Sequence, residues 1–413
     1  MTTKSQINKL GKSLRSKIRE GDLIDNIHLE QLQEYRTSFK EDISPVFENV
    51  AKIAKRIRKD SLISLRIKRI ESILSKIKRE PTMSLGNMGD IAGCRVIVHS
   101  KSALSLIRNQ ISEIYEVTRV KDYIKEPKPD GYRGYHIYIK SPVNNHKQVE
   151  IQLRHVRTHK WASLVEIIDI IYDLKLKEGQ KHPDLQNFLY LLSLDKDNLD
   201  ISQIAQILEV DYKYDIYKKL NQVFIQNHIP IRKSWLEANN EKNHSYFIIE
   251  VDKDKKSSIK ALDNYQVAEK EYFKMFLSNQ ISNFVLIFIE NPKFKEVCIA
   301  YASYMMIKHD YLDDWNYFAK KTLKSESKHG KIQSYNTYKN FIDRNLVEQQ
   351  ELIKSEIEEI NNHLNGEVEI RGIAMNDWIN ELKERSIRTS ELVNEIRHLR
   401  PPKKPSFFEK LFN

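Results

Sequence analysis

From Gln148 to Arg154 the chain reads Q-V-E-I-Q-L-R, with Val149, Ile151 and Leu153 alternating against Glu150, Gln152 and Arg154. Successive side chains on a strand point to opposite faces, so this segment calls for a sheet with one apolar and one polar face. A carboxylate inside such a strand must be exposed at a sheet end, paired, or holding a metal. The pattern suits a solvated sheet face as well as an active-site floor.

Neighbouring segments favour the floor. Asp90 begins a second β-branched run, DIAGCRVIV (Asp90–Val98), and a basic loop, KDYIKEPKPDGYRGYH (Lys121–His136), lies between the two acids. Taken singly, Asp90 reads as a turn residue after Gly89 and Glu150 as half of a surface ion pair. Together with the loop they outline a Mg²⁺-dependent site for moving phosphate between nucleotides. Such transfer needs an oriented hydroxyl, a metal bridging the phosphates and positive charge where oxygens gain charge. Asp90 can hold Mg²⁺, with water and phosphate completing its shell. Glu150 can share that metal or take a proton from the acceptor. The glycines let the loop backbone approach a ligand, and Tyr132 offers a face for a base, worth about 1–3 kcal/mol in comparable systems. Lys121, Lys125, Lys128 and Arg133 surround it with charge.

A helix is expected upstream, over Ser61–Arg79, with Ile63, Ile67, Ile70, Leu74 and Ile77 as a buried stripe. Lys68, Ser72, Lys76 and Arg79 then form one ridge of hydrogen-bond donors with no acid among them, a cradle for a triphosphate. Charge supports this. Of the net +11, residues 51–160 carry 24 Lys/Arg against 10 Asp/Glu. That clustering would attract phosphate-rich substrates or an RNA.

Around the site the organisation is mostly helical. Two helices are expected in residues 1–60, the second near Ile43–Ile57. A crossover helix (Ala103–Ser112), strands at Ile114–Val120, Tyr135–Lys140 and Gln148–Arg154, and a long helix over Val156–Leu176 complete the central region. Residues 245–320 read as a small α/β module, with strands at Tyr246–Val251, Ser258–Leu262 and Phe284–Glu290 and helices at Val267–Leu277 and Lys293–Ile307. Residues 331–400 are helical and charged, acid-rich from Glu348 to Glu359. The division expected is 1–60 N-terminal helices, 61–195 catalytic domain, 196–330 helical linker and α/β regulatory module, and 331–413 charged helical region. With only Cys94 and Cys298, a disulfide framework and a Cys-rich zinc site are excluded. No stretch has signal-peptide or membrane-span character, so a cytoplasmic location with no membrane partner is expected.

These motifs resemble the RelA/SpoT alarmone synthetase family over about Ser61–Leu176. The family's R-x-K…S…K…R segment is similar to Arg66, Lys68, Ser72, Lys76 and Arg79, and its D-x-x-G-x-R strand to Asp90, Gly93 and Arg95. Its K-D-Y-I-x-x-P-K-x-N-G-Y-R-S-x-H loop resembles Lys121–His136, and its E-x-Q-x-R strand Glu150, Gln152 and Arg154. Four motifs in order are far more specific than any one.

The resemblance implies an α+β fold, a nucleotidyltransferase-like mixed β-sheet flanked by helices, here with the C-terminal α/β module and helical tail. It implies a transferase that moves the β,γ-pyrophosphate of ATP to a ribose 3′-hydroxyl. Arg66 and Arg95 would clamp the adenine, and Lys68, Ser72, Lys76 and Arg79 would hold the phosphates. Asp90 and Glu150 would be catalytic and bind Mg²⁺. Lys121, Lys128, Tyr132, Arg133, His136 and Gln152 would meet the acceptor. Asp130 and Gly134 depart from the usual Asn and from Ser or Ala, both around the acceptor pocket, so the acceptor stays open between GDP or GTP, an adenine nucleotide and the 3′-CCA end of tRNA. The stretch HVRTHKWASLVEIIDIIYDLKLKEG resembles synthetases of the toxic, toxin–antitoxin branch. That likeness implies a C-terminal brake, with a phage or antitoxin protein as its partner. A catalytically silent nucleotide- or RNA-binding regulator is the alternative of another class. The oligomeric state stays open.

Overall fold

Strand β1 (Leu62–Ile67) occupies the first half of what the isoleucine spacing predicts as one helix, and only α4 (Ile70–Arg79) is helical. The reason is visible in the spacing. Ile63 and Ile67 are four apart, which puts them on one side of a strand as readily as of a helix. In the structure LISLRI is paired along both edges and almost wholly buried, so sheet pairing decides. Lys68 therefore lies in the turn between β1 and α4, and the expected four-residue ridge reduces to Ser72, Lys76 and Arg79 on α4.

The structure, a computed structural model, describes residues 3–238, 244–251, 257–278, 283–290, 292–300, 310–364 and 373–402. The chain divides into two units, the first Met1–His159 with Glu241–Met305, the second Lys160–Asn240 with Met306–Asn413.

The first unit opens with three helices, α1 (Lys4–Glu20), α2 (Asn26–Thr37) and α3 (Lys40–Ile57), where two were expected. Local chemistry punctuates them. Thr3 and Gln6 form a capping box, Gly21 ends α1 in the left-handed region, and the Asp25 side chain caps α2. After α4 come β2 (Ala92–Val98), α5 (Lys101–Ile114), β3 (Val117–Asp122), β4 (Tyr135–Lys140) and β5 (Gln148–His155). Strand β5 leads into α6 (Val156–Ile171), which stops short of the expected Leu176. The later segment adds β6 (Tyr246–Val251), β7 (Ser257–Leu262), α10 (Tyr265–Ser278), β8 (Asn283–Phe288) and α11 (Phe294–Ala300), and residues 301–307 of the helix expected there lie outside the described residues.

Among the described residues eight strands form one mixed sheet in the order β3-β4-β5-β2-β1-β8-β6-β7. Only the β2–β5 pair is parallel, the two strands being joined through α5, β3 and β4. Strands β6–β8, which read in sequence as a module of their own, continue this sheet from the far edge of β1. The core runs from the N-terminal helices through the sheet strands to α10, taking in Leu14, Phe47, Ile73, Val96, Ile151 and Tyr272.

The second unit is helical among its described residues: most of α6, then α7 (Pro183–Ser193), α8 (Ile201–Tyr214), α9 (Ile216–Ala238), α12 (Asp310–His329), α13 (Ile332–Leu364) and α14 (Ile373–Arg397). Buried Asp211 accepts the Tyr217 N–H at 2.7 Å, Trp315 Nε1 at 3.0 Å and the Tyr311 hydroxyl. The acidic stretch on α13 is largely engaged within this unit. Glu356 is fully buried and accepts from Trp378 Nε1 at 2.9 Å and from Arg385 Nη2, while Glu348 faces Lys218 and Glu359 faces Lys233. No helix among the described residues is long and apolar enough to cross a membrane.

Candidate active site

Register builds one polar surface across five strands. Arg66 on β1 pairs with Gly93 on β2, which pairs with Glu150 on β5, which pairs with Tyr138 on β4. One step along, Ser64, Arg95, Gln152, His136 and Lys121 align in the same way. Cross-strand partners share a face, so these residues form the floor that the alternation in β5 calls for. Gly93 is required by this packing. A Cβ there would lie 2.7 Å from the Glu150 carbonyl oxygen, closer than any side chain tolerates.

Asp90 sits in the turn that enters β2. Lys68 Nζ is 3.0 Å from its Oδ2, and Lys76 Nζ lies 3.0 and 2.9 Å from its two oxygens. All three groups are mostly buried. Burial pushes the Asp90 carboxyl up, but the two ammonium groups outweigh it and hold the acid below its ordinary range. Two converging lysines on one ionised acid make a cluster that can exchange the carboxylate for phosphate oxygens.

Glu150 is the hub of the other half. His136 Nδ1 is 2.8 Å from Oε1, Gln152 Nε2 donates to Oε2 at 2.7 Å, and the Tyr138 hydroxyl bonds the same carboxylate. Burial raises the carboxyl's proton affinity, yet the bonds from His136, Tyr138 and Gln152 hold it well below the usual range. Burial also lowers the His136 pKa, against the pull of Glu150. A carboxylate only accepts, so His136 carries its proton on Nδ1. The neutral ring's Nε2 then accepts from the Tyr132 hydroxyl, 2.6 Å away.

The loop is ordered by its own side chains. Asp130 Oδ1 accepts the Tyr132 N–H at 2.9 Å, a turn that an asparagine oxygen would make equally well. Tyr132 is 8% exposed, with Lys128 Nζ and Arg154 Cζ each 5.1 Å from its ring centre and Tyr123 against its edge. The face expected to receive a base is thus covered in this conformation. A Cβ at Gly134 would sit 3.2 Å from the Tyr132 hydroxyl and 3.3 Å from the Leu153 carbonyl, so glycine suits this packing.

Of the expected site residues, Lys68, Lys76 and Asp90 meet, and Glu150, Gln152, His136 and Tyr132 meet. Arg95 Nε bonds Gln152 Oε1 at 3.1 Å, and Arg66 lies diagonally across from it with no hydrogen bond or ion pair among the described residues. Arg79 faces Glu80, Arg133 caps the Gly131 carbonyl at 3.1 Å, and Lys121 is exposed at the outer strand. One residue escaped the sequence reading as a site member: Tyr138 follows His136 by two on β4 and so had to share its face. Arg154, read from the alternation as part of the polar face but given no role of its own, bonds Gln152 Oε1 at 3.1 Å.

A divalent metal suits this donor set. Mg²⁺ takes one or two carboxylates and fills its shell with water and phosphate rather than a full protein cage. Asp90 and Glu150, both held ionised and electrostatically coupled, match that need, and no cluster of three acid, His or Cys ligands occurs among the described residues.

The fold and register bring a basic cluster around Asp90 and a hydrogen-bonded Glu150 to one polar surface of a mixed sheet. Residues 65–175 match the family model described as the region found in RelA / SpoT proteins. It is 37% identical over 111 residues to GTP pyrophosphokinase YwaC of Bacillus subtilis, covering 24% of this chain and 53% of that protein. It is 30% identical over 125 residues to GTP pyrophosphokinase YjbM of the same organism, covering 28% and 59%. The chain thus spans little more than half the length of these relatives. The crystal structure of small alarmone synthetase 2 from Bacillus subtilis is similar at 24% identity, over 45% of this chain and 98% of that one, with a TM-score of 0.35. Small alarmone synthetase 1 from Bacillus subtilis, bound to its product pppGpp, gives 23% identity over 37% and 77%, with a TM-score of 0.28.

Proposed function

We propose that the first unit is a nucleotide pyrophosphokinase that moves the β,γ-pyrophosphate of ATP to the 3′-hydroxyl of a guanine nucleotide. The observation that carries the reading is the Lys68–Asp90–Lys76 cluster beside Glu150 on one polar floor, within the segment that matches the RelA / SpoT region. In the reaction a bond forms between the acceptor O3′ and the β-phosphorus as the hydroxyl proton passes to solvent, the bond from that phosphorus to the α-phosphate bridging oxygen breaks, and AMP leaves. Lys68, Ser72, Lys76 and Arg79 bind the donor phosphates. Arg66 and Arg95, diagonal neighbours on the floor, are set to sandwich the adenine. Mg²⁺ held by Asp90 and Glu150 would supply Lewis-acid charge to the phosphates. Three donors depress the proton affinity of Glu150, which favours metal holding over strong basicity for this acid. Tyr132, freed from His136, stacks on the acceptor base, with Lys121, Lys128, Arg133, His136 and Gln152 around it.

The finer role follows from the toxic-branch likeness. The product would restrain growth in the cytoplasm, the C-terminal region would hold the enzyme in check, and a phage or antitoxin protein would act on that region. Glu358, and Glu351 in its exposed pair with Lys354, are the acids of α13 that would make such contacts, since Glu356 is buried among its own partners. The test is a transfer assay with γ-labelled ATP and, in turn, GDP, GTP, an adenine nucleotide and deacylated tRNA. Label is expected in a guanine nucleotide. Label in tRNA would replace the acceptor and make the basic surplus of residues 51–160 an RNA surface. No transfer to any acceptor, with or without residues 306–413, would leave the silent regulator.

A further inference from the structure

We infer that Tyr272 on α10, far outside the matched segment 65–175, is a positioning residue for the donor site, working with Arg36 on α2. The inference rests on the pyrophosphokinase reading and deepens it. Lys68 reaches Asp90 from a turn, and a long flexible side chain is only as well placed as its Cα. Three bonds pin the backbone there. Lys68 N–H donates to the Ile91 carbonyl at 2.7 Å, Arg36 Nε donates to the Lys68 carbonyl at 2.8 Å, and Ile67 N–H donates to the Tyr272 hydroxyl at 3.2 Å.

The last two come from a single buried cluster. Tyr272 is fully buried, and Arg36, 4% exposed, lies 4.6 Å over the Phe276 ring and bonds Gln33 Oε1. Gln33 Nε2 in turn donates to the Phe276 carbonyl at 2.9 Å. A guanidinium and a phenol buried together on peptide groups need a reason, since each forfeits water to be there. Fixing the peptides on either side of the Ile67–Lys68 junction is such a reason. The segment after residue 240 then includes a structural part of ATP binding and cannot act only as a brake.

Tyr272→Phe removes one hydroxyl and keeps the ring. The expected result is a five- to tenfold rise in KM for ATP, with kcat and the acceptor KM changed less than about twofold. Titration with a non-hydrolysable ATP analogue should show the same loss of affinity, and Arg36→Lys should move both readouts in the same direction. Tyr265→Phe is the comparison: it removes a hydroxyl on the same helix that bonds the Ser44 carbonyl at 3.0 Å, away from Lys68. It should lower stability without moving KM. Unchanged KM and analogue affinity in Tyr272→Phe would overturn the inference, as would an equal rise in Tyr265→Phe. If Tyr272→Phe does not fold, Arg36→Lys decides by the same two readouts. A wild type that binds the analogue but transfers nothing would sink the reaction, while the variants' affinities would still judge the positioning role.

Discussion

Asp90→Asn removes the one anion that two inward-facing lysines share. Lys68 and Lys76 are 18% and 16% exposed and Asp90 is 13% exposed, so the cluster is neither a surface pair nor a dry one. Breaking a fully buried pair costs about 3–5 kcal/mol, and an exposed one under about 1 kcal/mol. A loss of about 2–3 kcal/mol follows for this cluster, or a Tm lower by about 5–10 °C for a unit of this size. The same change frees both lysines and removes a negative charge from where phosphates would bind. Inorganic tripolyphosphate without metal should therefore bind the variant about five- to tenfold more tightly than wild type. At 100 times its Kd it should restore about 2.7 kcal/mol. Magnesium should raise tripolyphosphate affinity in wild type and do little in the variant. Thermal unfolding and calorimetric titration read both quantities. A variant that keeps wild-type stability, or that binds tripolyphosphate no better than wild type, would refute the cradle.

Three further outcomes follow from the geometry. Glu150→Gln should cut transfer at least a hundredfold while the fold persists, because one of the donors from His136 and Gln152 then faces an amide group; wild-type kcat in the labelled-ATP assay would remove Glu150 from the mechanism. Gly93→Ala drives a Cβ against the Glu150 carbonyl and should cost about 1–3 kcal/mol in a denaturant titration, with near-neutral behaviour counting against the close approach. In the helical unit, burial pushes the Asp211 carboxyl up from 3.8 to about 6. A folded pKa above the unfolded one means that this stability is full below about pH 4 and is lost as pH rises through about 6, by about 3 kcal/mol at most. Asp211→Asn should flatten that slope, and identical urea midpoints for both proteins across pH 4–6 would contradict the assignment.

Much of the floor is legible in the sequence. The alternation in β5 can be satisfied only by a sheet with a polar face, and the β-branched run after Asp90 supplies its neighbour. Spacing was less informative at Ser61–Arg79. Steps of four are even, so they match a strand as well as a helix turn, and Leu62–Ile67 went to the state that could pair along both edges. Tyr138 was recoverable from its two-residue offset to His136, whereas the covering of Tyr132 by Lys128 and Arg154 was not.

Local periodicity therefore accounts for the polar floor, for Asp90 and Glu150 as its acids and for the basic loop beside them. Pairing accounts for what it could not supply: that β8 docks on β1 and carries β6 and β7 into the same sheet, that Lys68 meets Lys76 on Asp90 from a turn, and that Tyr272 holds the Ile67 peptide. The second joins side chains of one short stretch around a turn, while the first and last join residues far apart in the chain through a register or a backbone hydrogen bond. Neither leaves a repeat in the sequence, because the energy lies in which edges and peptides meet rather than in the residues themselves.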